Sequence, residues 1–214
     1  VSSQKEILNL LELIHEDISG IKIGLQYITQ RSPEEIIELS KFKKPIFYDG
    51  KFFDIKNTLS ESVKSLKNLN VSYATVHLLN GLEALKASNQ AAQKINLKLL
   101  GVSVLTSFND EDLEDLGFNN KVEDQVKRLT EIALKANLYG VVCSPLEIKM
   151  IKKIGPKLKC FTPGIRIKDT KDDQKRTMNA NEAIKEGSDC LIIGRPITDG
   201  DPKKNIKDIL SSIE

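Results

Sequence analysis

The sequence predicts an α/β fold built from parallel strands, in a single domain over residues 1–214. Strand-like apolar runs alternate with amphipathic helices along the whole chain, and no linker or low-complexity segment interrupts them. A strand followed each time by a helix implies a parallel sheet with right-handed crossovers. A chain of 214 residues that is 40% hydrophobic can also bury one sizeable core.

The first half of the chain contains four of the predicted strands. Residues 3–18 have the apolar spacing of a helix, with Ser2 or Ser3 as a possible N-cap. A short strand follows over residues 21–25, and Ser32-Pro33 starts a helix because proline suits the first turn. The next predicted elements are a strand from residue 46, a helix over 57–69, a strand over 72–77, a helix over 81–95 and a strand over 97–105.

The second half repeats this alternation. Its predicted elements are helices over 110–116 and 122–136, a strand over 139–143, a helix over 145–154, a strand over 159–162, a helix over 179–186, a strand over 190–193 and a closing helix over 203–213. A long polar stretch over residues 163–178 interrupts the pattern. Loops of that length in compact domains are usually functional or disordered.

Counting the strands favours a barrel. We find seven, and the helix over residues 3–18 has no strand before it. A (β/α)8 TIM barrel needs eight strands, so we predict a barrel whose first strand lies just before Val1. A doubly wound sheet needs no added strand and remains the alternative when counting is the only argument.

Composition excludes several classes of function. A net charge of +2 in a chain that is 29% charged argues against a nucleic-acid or membrane partner. No apolar run has transmembrane length. Cys143, Cys160 and Cys190 lie in apolar runs without a CxxC pair, which indicates buried thiols in a reducing, cytoplasmic compartment. Two histidines and three scattered cysteines do not make a metal site.

The segment over residues 46–58, IFYDGKFFDIKNT, carries the main candidate chemistry. Phe47, Asp49 and Lys51 share one face if the run stays extended, which sets an acid beside an amine at a strand end. Asp54 lies off that face, beyond the strand, where it is free to reach another element or subunit. Carboxylates on either side of Lys51 would keep it charged. The segment fits a proton donor between two anions, and equally a solvated charge cluster.

Other strand ends carry groups suited to an anion. Lys22 lies at one, Thr106-Ser107 at another and Gly194-Arg195 at a third. Thr162-Pro-Gly-Ile-Arg166 follows the strand over 159–162, and Gln174 lies eight residues beyond Arg166. Glycines allow close approach to phosphate, and arginine matches its oxygens. Because barrel function gathers at the carboxyl ends of strands, often with phosphate after the last two, these groups strengthen the barrel prediction.

These residues resemble a known enzyme family. The run from Asp49 to Thr58, DGKFFDIKNT, is similar to the D-x-K-x-x-D-I-x-N-T signature of orotidine 5′-phosphate decarboxylases, especially those of bacterial type. Further blocks follow in the family's order and spacing: Leu105-Thr106-Ser107, Thr162-Pro-Gly-Ile-Arg166, Asp173-Gln174-Lys-Arg176 and Ile193-Gly-Arg-Pro-Ile-Thr198. The resemblance covers almost the whole chain.

The resemblance implies decarboxylation of orotidine 5′-phosphate to uridine 5′-phosphate in pyrimidine biosynthesis, with neither metal nor cofactor. Lys51 would protonate C6 of the pyrimidine, with Asp49 near the substrate carboxylate and Lys22 completing the charge chain. The family also implies a homodimer in which the segment from Asp54 through Ile55 to Thr58 serves the opposite site. The matches to substrate-binding positions are Thr106 for the pyrimidine and Arg166, Gln174, Gly194 and Arg195 for the phosphate.

The chain departs from the family pattern at several positions. Gly50 replaces a large apolar residue, from which we expect looser packing near the lysine; Phe53 replaces a histidine and Lys56 a common proline. His77 matches a family histidine, which we interpret as structural. The family's first strand ends in a ribose-binding aspartate that this chain lacks, so we expect the natural protein to begin roughly ten residues earlier with such a strand.

Two alternative functions remain open. One is a magnesium-dependent sugar-phosphate decarboxylase or synthase of the same superfamily, which shares the D-x-K-x-x-D core. The blocks at Thr106-Ser107, Arg166 and Gln174 favour the nucleotide enzyme. The other is a catalytically inactive barrel that keeps a nucleotide-phosphate site, which would bind nucleotide without releasing carbon dioxide.

Overall fold

The fold is a curved parallel sheet with helices around it, seen in a computed structural model that describes residues 3–166 and 176–213. Within them, seven strands lie side by side in chain order: β1 (Ile21–Gly24), β2 (Ile46–Phe52), β3 (Tyr73–His77), β4 (Lys98–Val102), β5 (Gly140–Val142), β6 (Lys159–Thr162) and β7 (Cys190–Leu191). Every pairing is parallel. A doubly wound sheet would reverse its strand order at a switch point, so the predicted barrel class is confirmed.

The sheet is open between its first and last strands. In the described ranges, β1 pairs only with β2 and β7 only with β6. A groove of about 380 Å³ lies along this opening and is lined mostly by apolar side chains, among them Leu11, Ile14, Ile21, Ile193 and Ile197.

Eleven α-helices accompany the strands in the described ranges: α1 (Gln4–Ile14), α2 (Leu25–Gln30), α3 (Pro33–Glu38), α4 (Lys56–Ser65), α5 (Leu82–Gln93), α6 (Asp110–Asp115), α7 (Val122–Lys135), α8 (Ile148–Ile154), α9 (Ala180–Lys185), α10 (Arg195–Thr198) and α11 (Pro202–Ser211). Capping boxes at Ser3 and Ser32 confirm two predicted helix starts. None of these helices is long and apolar enough to cross a membrane.

Two short helices were not predicted. α2 begins directly after Gly24, inside the predicted strand end, and no side chain caps its first turn. α10 spans four residues after β7. The strand predicted over residues 97–105 ends at Val102, and the one over 190–193 is only two residues long. Apolar runs continue beyond a strand when the following turn is also buried, so pattern alone overestimates strand length.

The interior of the curved sheet is filled by large side chains. Phe47, Leu100, Val102, Val142 and Phe161 form a buried cluster on the inner face. The rings of Phe47 and Phe161 meet edge to face, with centroids 5.7 Å apart. Because strand side chains alternate, the residue two positions beyond Phe47 projects into the same interior nearer the carboxyl edge. The fold therefore delivers Asp49 to the end of the barrel where the other candidate residues gather.

The close contact of β5 with β6 predicts an intolerant position. A Cβ added at Gly140 would lie 2.2 Å from the backbone oxygen of Lys159, which cannot move without shifting β6. We expect Gly140→Ala to lower the free energy of unfolding by about 2–3 kcal/mol. Gly155→Ala is the control, since its Cβ would meet the flexible end of Leu134 at 2.8 Å. Urea denaturation of both variants measures this, and equal losses would contradict it.

Candidate active site

Three charged side chains, those of Lys22, Asp49 and Lys51, form a chain of ion pairs, the charged chain, at the carboxyl edge of β1 and β2. The Lys51 ammonium donates to Oδ2 of Asp49 at 2.8 Å, and the Lys22 ammonium reaches the same oxygen at 3.3 Å. The Asp49 side chain is 9% exposed, whereas those of Lys22 and Lys51 are 34% and 31% exposed. The site thus has a buried anion paired with two partly exposed cations.

The backbone bulges where it presents these groups. Tyr48 pairs with Ala74 and Phe52 with Val76, so four steps along β2 match two along β3. Lys51 takes the left-handed conformation, with φ of 47°. The expected extended run is therefore wrong at Lys51, although the acid and the amine do stand side by side. Bulges of this kind redirect a side chain at the end of a strand.

Gly50 allows two aromatic rings to close over the bulge. The rings of Tyr48 and Phe52 stack with centroids 5.7 Å apart and planes 22° apart. A Cβ at Gly50 would lie 2.8 Å from the Tyr48 ring. The space of the missing side chain is therefore occupied, and the looser packing expected near the lysine is not found.

The surroundings of Asp49 favour its ionised form. Burial by itself raises the pKa of the Asp49 carboxyl, but the charges of Lys22 and Lys51 and hydrogen bonds from Lys51 and Thr75 together hold this pKa below its ordinary value. The carboxylate remains charged although it is buried, because each of its oxygens accepts a hydrogen bond.

His77 has a structural environment, as interpreted from the sequence. Burial lowers the pKa of its imidazole, and the nearby Lys51 charge lowers this pKa further. The neutral ring accepts a long hydrogen bond from the Leu79 backbone N–H, at 3.4 Å. Its other neighbour is the ring of Phe53, 5.8 Å away between centroids.

Asp54 lies away from the charged chain, on an exposed loop beyond β2. Within the described residues it makes no ion pair, and its carboxylate accepts from the N–H of Ile55 at 2.7 Å. Asn80 holds this loop, since it accepts from the Asp54 N–H and donates to the carbonyls of Phe52 and His77. Ile55 is 74% exposed, and Thr58 is exposed in the first turn of α4. Within the described ranges, a single chain therefore supplies Lys51 with one of the two expected anions, Asp49.

The predicted phosphate ligands follow the last two strands. Arg166 lies four residues beyond β6, and its backbone N–H donates to Met178 at 3.0 Å. Gly194 is the N-cap of α10, which begins at Arg195 shortly after β7, and open space lies in front of the Gly194 Cα. These residues thus gather at the carboxyl edges of neighbouring strands. Gln174 lies outside the described residues.

Thr106, the predicted pyrimidine contact, lies in a partly buried turn after β4. It shares the carboxyl edge of the sheet with the charged chain and the phosphate candidates, because all seven described strands run in the same direction.

Comparison with known proteins identifies the family. The model of the orotidine 5′-phosphate decarboxylase / HUMPS family matches residues 1–209. The chain belongs to this family. It is 41% identical to an orotidine 5′-phosphate decarboxylase of Prochlorococcus marinus (strain MIT 9312), over 97% of this chain and 91% of the relative. It is 39% identical to one of Wolbachia pipientis subsp. Culex pipiens (strain wPip), over 94% and 89%.

A solved structure extends this similarity to the fold. The crystal structure of orotidine 5′-phosphate decarboxylase from Lactobacillus acidophilus matches with a TM-score of 0.86 and 28% identity, covering 100% of this chain and 96% of that chain. The family match and this fold agree with the resemblance carried by the residues from Asp49 to Thr58.

An ion pair beneath Thr106 was missed by the sequence reasoning. Arg176 pairs with the buried Glu147 carboxylate and donates to the carbonyls of Val104 and Leu105, at 3.3 and 2.8 Å. Glu147 also accepts from the Ser144 backbone N–H at 3.0 Å. The pair therefore ties the chain after residue 175 to the ends of β4 and β5. From the sequence, only the hydrogen bond between Glu147 and Ser144 could have been predicted, because their spacing is typical of a capping box.

The burial of Glu147 predicts a dependence of stability on pH. Burial raises the pKa of this carboxyl from 4.5 to about 7, against the opposing charge of Arg176. Because the folded pKa exceeds the unfolded value, the stabilising contribution is complete below pH 4.5 and is lost as the pH rises through about 7. We expect Glu147→Gln to remove this loss, which is on the order of 3 kcal/mol.

Urea denaturation of the parent and Glu147→Gln across that pH range measures the effect. Glu131→Gln, which changes an exposed carboxyl on α7, is the control. A parent and a Glu147→Gln variant whose stabilities change in parallel with pH would contradict the prediction.

Proposed function

We propose that this chain converts orotidine 5′-phosphate to uridine 5′-phosphate and carbon dioxide, in pyrimidine biosynthesis and without a metal or organic cofactor. The observation that carries the proposal is the Lys22–Asp49–Lys51 chain, held at the carboxyl edge of the barrel in a member of this family. The relatives named orotidine 5′-phosphate decarboxylase, which this chain matches over nearly their full length, support the substrate.

The reaction breaks the bond between C6 of the pyrimidine and its carboxylate. Carbon dioxide leaves without the electron pair of that bond, which remains on C6. The Lys51 ammonium then donates a proton to C6 to form the new C–H bond, and solvent restores the proton on lysine. The Lys51 side chain is 31% exposed at the carboxyl edge of the sheet, which leaves its ammonium accessible to substrate.

Fixed charges in the site would stabilise the carbanion that forms at C6. A carbanion at C6 has no good electron sink, so preorganised cations near it lower the barrier. Asp49 holds the Lys51 ammonium at 2.8 Å and would stand near the substrate carboxylate. Lys22 also stabilises the ionised form of Asp49, at the same carboxylate oxygen. The site holds these charges before substrate arrives, so little reorganisation is needed during the reaction.

The phosphate would bind at the far end of the site. We assign Arg166, Gln174, Gly194 and Arg195 to it, and Thr106 to the pyrimidine. The open space before Gly194 and the arginines after adjacent strands support this assignment. Binding energy from a group remote from C6 can position the reacting carbon.

The active form would be a homodimer in which Asp54 completes the opposite site. Asp54 is exposed and lies off the charged chain, and its neighbours Phe53 and Ile55 are 66% and 74% exposed. Large apolar side chains beside a polar loop are typical of a subunit interface. The segment from Asp54 through Ile55 to Thr58 would then act across this interface.

We place the protein in the cytoplasm. Cys143, Cys160 and Cys190 are all free thiols, which fits a reducing compartment.

Lys51→Ala tests the proposed proton donor. Proton delivery and charge stabilisation are lost together, so we expect turnover to fall by at least about 10⁴-fold. Binding of uridine 5′-phosphate should survive, since the phosphate ligands are unchanged. Loss of orotidine 5′-phosphate is followed by ultraviolet absorbance, with and without a chelator.

Lys207→Ala, which alters an exposed lysine on α11, is the control and should leave turnover unchanged. If Lys51→Ala retains turnover within tenfold of the parent, Lys51 is not the acid. A parent that needs magnesium would instead be a sugar-phosphate enzyme, and one that binds nucleotide without releasing carbon dioxide would be an inactive barrel.

Mixing two inactive variants tests the shared site. In a dimer of one Lys51→Ala and one Asp54→Ala chain, one site has both native residues and the other has both lesions. Random subunit exchange at equal concentrations makes half of the dimers mixed, so we expect about a quarter of parent activity. If no activity returns after mass spectrometry has verified exchange, Asp54 acts within its own chain.

A further inference from the structure

The bulge in β2 leaves a gap in the hydrogen bonding between two strands. The residues between its paired positions are Asp49, Gly50 and Lys51, whereas β3 has only Thr75 between its own. Thr75 is fully buried, with 0% of its surface exposed. Its alternation with Ala74 and Val76 gives it the inner face of the sheet, the face of Tyr73 and the aromatic cluster.

The Thr75 hydroxyl bonds to both partners of the proposed catalytic pair. Its oxygen accepts from the Lys51 backbone N–H at 2.8 Å, and its proton is donated to Oδ1 of Asp49 at 3.0 Å. The Lys51 N–H therefore has a side-chain partner in place of a strand partner. Asp49 in turn has one oxygen held by Thr75 and the other facing two ammonium groups.

We infer that Thr75 is a positioning residue for the proposed decarboxylation, one that sets both the orientation of the Asp49 carboxylate and the left-handed backbone of Lys51. The inference rests on the proposed function, because it assigns those two residues to the reaction. A hydroxyl suits this role since it donates and accepts at once. A lysine at φ of 47° is in an uncommon conformation, and the hydrogen bond from its N–H to Thr75 helps to hold it there.

Three variants of Thr75 separate the hydroxyl from the shape of the side chain. Thr75→Val keeps the shape and removes the hydroxyl, while Thr75→Ser keeps the hydroxyl. We expect Thr75→Val to lower kcat about 10- to 100-fold with KM within about threefold, because a hydrogen bond to a charged group is lost. Thr75→Ser should recover kcat to within about threefold of the parent. If Thr75→Val is insoluble, Thr75→Ala against Thr75→Ser gives the same comparison.

Thr130→Val is the matched control for loss of a buried hydroxyl. Thr130 is also fully buried, and its hydroxyl donates within α7 to the Val126 carbonyl at 2.8 Å. We expect this variant to melt at a lower temperature and to keep the parent kcat. A general loss of stability is thereby separated from a loss of positioning.

Melting temperature against pH tests the contact without any activity. The groups facing Asp49 are Lys22 from β1 and Lys51 from β2, with His77 of β3 close to Lys51; all are unchanged in the variants. A carboxyl whose pKa is lower in the folded state than in the unfolded state stabilises the fold at pH values above its unfolded pKa. This stabilisation is lost as the pH falls through the folded pKa. The decrease in melting temperature of Thr75→Val relative to the parent should therefore be largest at neutral pH and become smaller in acid. The decrease for Thr130→Val should stay constant with pH.

The two proposals fail differently. A parent that does not decarboxylate orotidine 5′-phosphate overturns the proposed function, and the melting comparison then decides the role of Thr75. Three results overturn that role: a kcat of Thr75→Val within threefold of the parent, a loss that Thr75→Ser does not recover, or a melting deficit as constant with pH as that of Thr130→Val.

Discussion

A buried carboxylate must be neutralised or fully hydrogen bonded, and the arrangement of this site follows from meeting that requirement at Asp49. Its two oxygens take a hydroxyl from β3 and ammonium groups from β1 and β2. Lys22 and Thr75 come from the two neighbouring strands and Lys51 from the bulge of β2 itself, so the contacts exist only while the three strands keep their register. Burial and pairing together leave one charged acceptor that holds the Lys51 ammonium at the carboxyl edge of the sheet.

The bulge in β2 is the departure from regular strand geometry that brings these groups together. Two extra residues relative to β3 turn Lys51 towards Asp49, and Gly50 lets the rings of Tyr48 and Phe52 close behind it. The strand then ends in an exposed loop held by Asn80. A rigid support for the amine and an outward loop for Asp54 are thus produced by the same short segment. This combination fits a site that a second subunit completes.

Glu147 is a second buried carboxyl with a cationic partner, Arg176. Both are largely buried, and Arg176 also bonds to two carbonyls after β4. The pair joins segments that are far apart in the chain and lies beneath the turn that carries Thr106. The cations that pair with Asp49 are 34% and 31% exposed, whereas Arg176 beside Glu147 is 13% exposed. Exposure of the cations therefore distinguishes the ion cluster that we propose to be reactive from the one that joins segments of the chain.

Much of the fold was predictable because it depends on local patterns. Alternation of apolar runs placed all seven strands, and capping residues such as Ser3 and Ser32 marked helix starts. The spacing of Asp49, Lys51 and Asp54 indicated the site and its family. Periodicity also explains the errors, since buried turns extend an apolar run past the true strand end, and four-residue helices such as α10 have too few residues to show a period.

The sequence by itself determined the order of the elements, the barrel class and the identity of the charged residues. Only the tertiary structure decided that β2 bulges opposite Thr75 and that Arg176 reaches Glu147. The physical reason is separation along the chain. Thr75 lies 26 residues from Asp49 and Arg176 lies 29 from Glu147, so their contacts depend on strand register and packing, which no local pattern of residues encodes.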